Sequence, residues 1–167
     1  MKDWLPVVVG VCVIVAAFAV PSSARAAEPL EITHCYSGTF LIFHDNKEVM
    51  SAGSWAQNGI IMSHTESKML NNAVVHCEGV QRGLGPDRSG YGLCKIVDDD
   101  GDMIVAETPY SISAYDMRFL DGTGKWKGIK GTLRFERFAV RSKPGKGAMP
   151  GTYQGCDRQK GSFELSK

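Results

Sequence analysis

The stretch AVVHCEGVQRGLGPDRSGYGLCKIVDDDGDMIVA, residues 73–106, decides the fold. Short runs of β-branched and aliphatic residues alternate there with glycine-rich punctuation, the pattern of consecutive β-strands joined by tight turns. Asp100-Gly101 is the favoured pair for a two-residue type I′ turn, because both central residues need positive φ. That turn sets Val97 opposite Ile104 and Lys95 opposite Ala106. A second hairpin folds over Gly83–Gly90, and a symmetric turn between Gly85 and Pro86 sets Cys77 opposite Cys94. Directly opposed residues of an antiparallel pair lie about 4.5–5.5 Å apart, within reach of a disulfide.

This register sorts the side chains. His76, Glu78, Val80, Tyr91, Leu93, Lys95, Val97 and Ile104 share one face; Val75, Cys77, Gly79, Gly92, Cys94, Ile96 and Val105 share the other. Both faces carry apolar residues, whereas a sheet with one wet face alternates more strictly. The pattern predicts an all-β fold, a closed antiparallel β-barrel of about eight strands with a filled lumen and a partly covered exterior.

Outward from this stretch, strands are expected at 31–43, 49–55, 58–65, 70–82, 89–98, 102–108, 111–119, 129–141 and 152–165, the last broken near Gly161. No stretch gives three clean amphipathic turns of helix, and Ser63–Asn71 reads as loop or strand. The glycine- and proline-rich segment Ser142–Gly151 reads as a loop within one domain, 27–167. A chain of 167 residues with 43% hydrophobic and 22% charged residues can bury a real core and is not disordered.

The first 26 residues read as a cleavable signal peptide. Val7–Val20 is an apolar run of fourteen residues, shorter than the roughly 20 of a membrane span. Pro21 ends the run, and Ala24 and Ala26 form an A-x-A cleavage signal. N-terminal sequencing of the exported protein is expected to begin at Ala27; a mature protein that keeps Met1 and stays with the membrane overturns this. Loss of Lys2, Arg25 and Asp3 leaves the mature chain with a net charge of zero, so no broad basic field exists for nucleic acid. A periplasmic or secreted protein without stable membrane insertion is expected.

Export makes the four remaining cysteines two expected disulfides. Cys77 pairs with Cys94 by hairpin register. Cys35 pairs with Cys156 because the first and last strands of a closed barrel must meet.

Asp98–Asp102 superficially resembles a calcium loop, but an EF-hand needs Gly and Glu where Met103 and Pro109 stand. Gly122–Gly128 fits neither phosphate-loop template, and no helix follows it. There is no G-x-S-x-G, and His-x-Glu lacks the P-C-x-x-C partner of zinc deaminases. His34, His44 and His64 are scattered. No metal and no cofactor are expected.

The segment Asp121-Gly122-Thr123-Gly124-Lys125-Trp126-Lys127-Gly128-Ile129-Lys130-Gly131 resembles the G-G-T-G-x-aromatic-x-G-x-x-G turn of allene oxide cyclase and dirigent-like β-barrels, with Asp121 replacing the first glycine. Gly90–Cys94 and Asp98–Asp102 resemble exported bacterial members of that class. The resemblance spans Ala73–Gly131. It implies an eight-stranded barrel whose lumen holds a small apolar molecule, often assembled as a trimer. Members include cofactor-free cyclases and proteins that steer phenoxy-radical coupling.

The best chemical pair by residue type is His76 with Glu78, two apart on one strand face and beside Lys95. An imidazole and a carboxylate near a cation suit acid–base work when burial tunes them. Tyr91 and Arg82 share that face, and Trp126, with Trp55, Phe135 and Phe138, would line an apolar pocket. The expectation is an exported barrel binding a small hydrophobic or aromatic molecule in its lumen. His76 and Glu78 would be catalytic in an isomerase, cyclase or lyase step, and Tyr91, Lys95, Trp126 and Arg82 would bind the ligand. The alternative is a non-catalytic envelope scaffold whose lumen is packed with Val and Leu.

Overall fold

A computed structural model describes residues 26–46, 48–83, 87–111, 114–141 and 151–166. The expected signal peptide apart from Ala26, the expected turn at Gly85 and Pro86, and the expected loop from Ser142 to Pro150 lie outside the described residues.

The strands are β1 (Glu28–Asn46), β2 (Met50–Ser63), β3 (Val74–Gly83), β4 (Ser89–Val97), β5 (Met103–Glu107), β6 (Tyr110–Ser111), β7 (Ala114–Gly122), β8 (Ile129–Arg141) and β9 (Thr152–Leu165). All pairings are antiparallel, and, with β5 and β6 sharing one stave, each stave neighbours the next in the chain until β9 returns to β1. β6 is a two-residue piece between β4 and β7 that extends the stave begun by β5. The result is a closed, eight-stave, up-and-down barrel. Closure removes the unpaired edges that an open sheet would expose.

Two expected strands, 49–55 and 58–65, are one continuous β2, and β9 runs unbroken through Gly161. The segment 64–72 is a loop, with Lys68, Leu70 and Asn72 at positive φ. Leu70 is carried from there into the core.

Both expected disulfides are present as cysteine pairs at bonding distance, Cys35–Cys156 and Cys77–Cys94. Cys77 lies directly opposite Cys94, as the hairpin register requires. The pairs face opposite sides of the wall. Cys77 and Cys94 point into the barrel and are buried, whereas Cys35 and Cys156 lie on the outer face, half-buried. Two bridges fit an oxidising compartment.

The other hairpin corrects the sequence reading. Val97 pairs with Met103 and Lys95 with Val105, one residue away from the register of a two-residue Asp-Gly turn. The turn is wider because the Asp98 carboxylate accepts hydrogen bonds from the amides of Asp100 and Asp102, both at 3.0 Å. A one-residue slip moves every side chain to the other face. Ile104 and Ala106 are therefore buried inside, and Val105 faces out.

One end of the barrel is packed solid. Leu30, Ile61, Ile96, Ile104, Ile129 and Phe163 meet there. The turn after β7 tucks Trp126 beneath them, with its ring 6.2 Å from Phe163. Trp126 Nε1–H donates to Asp98 Oδ2 at 2.6 Å, and Lys125 Nζ sits 2.9 Å from the same carboxylate. Burial alone would raise the Asp98 carboxyl. Hydrogen bonds from Lys125, Trp126 and the Asp102 amide outweigh it and hold the group below the usual carboxylate range. The aspartate run is thus the latch of this closed base.

Candidate functional site: the barrel lumen

Strand alternation fixes what faces inward once Cys77 and Cys94 are inside. His76 and Glu78 then face out, with side chains 47% and 71% exposed. Their expected place in the lumen is corrected: the two cysteines and the two glycines, Gly79 and Gly92, take the inner face. The pair does come together, His76 Nε2 lying 3.1 Å from Glu78 Oε1 and Nδ1 2.8 Å from Asn58 Oδ1. Lys95 lies opposite His76 on the same exposed face. Tyr91 also faces out, and its hydroxyl donates to Glu107 Oε2 at 3.1 Å. Arg82 is exposed near the outer rim. Trp126 is inside but sealed in the base. None of these six residues lines an accessible lumen.

The inward residues that still meet solvent gather at the other end. Tyr36 and Phe40 on β1, Trp55 on β2, Phe135 on β8 and Tyr153 on β9 occupy inward register positions and are all half-buried. An inward side chain that still meets solvent means an open mouth. Tyr36 and Tyr153 stand 6.0 Å apart between ring centroids, and Tyr115 packs edge-on against Phe135 at 6.3 Å. The sequence makes room for this wall with glycine. Gly79 lies opposite Gly92, and a Cβ on either would stand 2.5 Å from the Trp55 indole. The two glycines form the slot that lets Trp55 lie flat against the strands.

Between the aromatic mouth and the apolar base lies a polar floor. His34 is 0% exposed, Asp157 4% and Gln159 0%. His34 lies directly opposite Asp157 across the β1–β9 seam, and Gln159 follows on the same inner face of β9. Gln159 Nε2 donates to Asp157 Oδ1 at 2.9 Å. Among the described residues, both ring nitrogens of His34 and Oε1 of Gln159 are buried without a hydrogen-bond partner. Nearer the mouth, Tyr153 Oη donates to Gln57 Oε1 at 3.1 Å. Burial pushes the His34 imidazole down to about 4. Burial also pushes the Asp157 carboxyl up to about 6, against the opposing hydrogen bond from Gln159. At neutral pH the floor therefore holds a neutral imidazole and a largely ionised carboxylate.

Gly59 shapes the floor. A Cβ there would fall 2.5 Å from both His34 Nε2 and the Cys35 carbonyl oxygen. Gly59→Ala is expected to cost about 1–3 kcal/mol by overpacking, measured by urea denaturation; an unchanged midpoint would show that the imidazole is not held there.

The sequence reading missed His34, Asp157 and Gln159. The signal was present: pairing Cys35 with Cys156 in direct opposition brings their neighbours His34 and Asp157 face to face. Among the described residues, no three His, Cys, Asp or Glu side chains cluster to hold a metal ion. No family model matches the chain, and no curated protein matches it.

Proposed function

We propose that this is an exported barrel that binds a small hydrophobic or aromatic molecule in the open half of its lumen. The observation that carries this reading is the ring of inward, half-buried aromatic side chains above buried polar atoms without partners. Apolar walls with a few convergent polar groups are the usual make-up of a small-molecule site. Buried polar groups normally have partners, and a ligand would supply them here. The resemblance of Ala73–Gly131, carried chiefly by the Asp121–Gly131 turn, to allene oxide cyclase and dirigent-like barrels supports the same reading. Cofactor-free chemistry in this lumen would fall to His34 and Asp157, since His76 and Glu78 face solvent.

The test is a neutral naphthyl dye. Its fluorescence should rise on binding, with energy transfer from Trp55 that is lost in Trp55→Phe. A shallow groove of about 700 Å3, lined by Leu41, Val80, Tyr91 and Leu93 and reaching Trp55 between Gly79 and Gly92, is the competing place, so the Trp55 signal alone does not separate the two. Leu93→Glu should leave the signal intact. Loss of the signal in Leu93→Glu, or no signal in the wild type, rejects lumen binding.

The outer wall supports association with further copies of the chain, as a trimer by resemblance. Ile60, Val74, Val80, Leu93 and Val105 are exposed on β2–β5. They share one wall, interleaved with His76, Glu78 and Lys95, and so many exposed apolar side chains on one wall suit an interface. Light scattering across a wide concentration range should give a mass above that of one chain, and a strictly monomeric mass overturns this.

A further inference from the structure

We infer that the floor of the cup takes the ammonium head of a small aromatic amine, with Asp157 as its counter-ion and Gln159 and His34 as its two other acceptors. The inference rests on the lumen-binding reading and names the ligand class for it. The argument is a count of donors and acceptors. Gln159 Oε1 is a buried acceptor without a partner. His34, neutral at this burial, offers one ring nitrogen as an acceptor and keeps the other as an N–H donor, which the ammonium leaves unused. Asp157 has its second oxygen, since only Oδ1 takes the Gln159 amide. Three acceptors therefore belong to side chains on adjacent inward positions of β1 and β9. An ammonium group carries three N–H donors. A hydroxyl carries one, and a carboxylate carries none.

Charge points the same way. A buried carboxylate is costly unless paired, and among the described residues no ion pair reaches Asp157. Of the groups facing it, β1 presents His34 and Tyr36, its own strand presents Tyr153 and Gln159, and β8 presents Phe138. Arg141 occupies the register position opposite Gly155, one rung nearer the mouth. Burial governs Asp157 with no cation offsetting it. Among the described residues the site therefore has the anion in place and lacks the cation. The aromatic wall above adds to this, because ring faces attract cations.

Calorimetric titration of the mature, disulfide-bonded protein with phenethylamine, phenethyl alcohol and phenylacetate at neutral pH tests it. These probes share one aromatic body and differ in the head. The amine should bind at least about tenfold more tightly than the alcohol, and phenylacetate should not bind. Asp157→Asn should remove the preference for the amine, so that amine and alcohol bind within about twofold of each other. If that variant does not fold, the wild type still answers: amine affinity should fall as pH drops below about 6, while alcohol affinity stays flat. Equal binding of amine and alcohol would overturn the head-group inference and leave lumen binding standing. Failure of all three probes, together with the naphthyl dye, would overturn both.

Discussion

Replacing Cys35 and Cys156 together by serine is expected to cost about 5 kcal/mol, more than the about 3 kcal/mol expected for the Cys77–Cys94 pair. The difference comes from loop length. Cys35 and Cys156 are 121 residues apart in sequence, and Cys77 and Cys94 only 17. A cross-link removes more unfolded-chain entropy the longer the loop it closes. For a domain of this size the seam variant should melt roughly 15–20 °C lower. Cys35 and Cys156 face outward and half-buried, so serine leaves no core cavity to confuse the comparison. Amide exchange should rise most along β1 and β9, whose pairing the bridge fastens. A smaller loss at this pair than at Cys77–Cys94 would show that the bridge does not act through chain closure.

The polar floor should give two variants with opposite pH behaviour. Asp157 is raised from 3.8 to about 6 in the fold, so its share of stability is present below pH 3.8 and is lost as pH rises through about 6. His34 is lowered from 6.5 to about 4, so its share is present above pH 6.5 and is lost as pH falls through about 4. Each shift corresponds to about 3 kcal/mol. In the wild type the two slopes oppose each other over the same window and largely cancel. Relative to wild type, Asp157→Asn should gain about 3 kcal/mol between pH 4 and 6 as pH rises. His34→Gln should gain a similar amount as pH falls from 6.5 to 4. Urea denaturation at a series of pH values reads both. Parallel curves for all three proteins would mean that neither group is buried in solution as it is here.

The fold was legible where local chemistry dominates. Gly83, Gly90 and Pro86 placed one turn well enough to bring Cys77 opposite Cys94, and barrel closure then paired the other two cysteines. The Asp100-Gly101 turn misled by one residue because Asp98 ties down two amides and also holds Trp126 and Lys125, and these two lie 28 and 27 positions away. No local rule contains that contact. The candidate site failed at a different step. Val74, Val80 and Leu93 outside are as apolar as Val75, Ile96 and Ile104 inside, so hydrophobicity alone could not say which face was the lumen. The glycines could have said it. Gly79 and Gly92 stand opposite each other on the cysteine face, and paired glycines mark space for a large ring, here that of Trp55. His34 looked like an isolated histidine because Asp157 and Gln159, its neighbours in the floor, lie more than 120 positions away, on β9.

The up-and-down order of the staves has a consequence for how the chain assembles. Seven of the eight seams join strands that are neighbours in sequence, and only β1–β9 joins the two ends. Hairpins can therefore form early and locally, while the last seam waits for the whole chain, as expected when loop closure sets the pace. The same seam brings Glu28 opposite Phe163, so the two ends of the described chain lie side by side. A circular permutant that links these ends and opens at the exposed Asp99–Gly101 turn would keep every stave in order. In that permutant β1–β9 becomes a local hairpin and β4–β5 becomes the late seam. Its folding rate would then change through chain order, with the same barrel at the end.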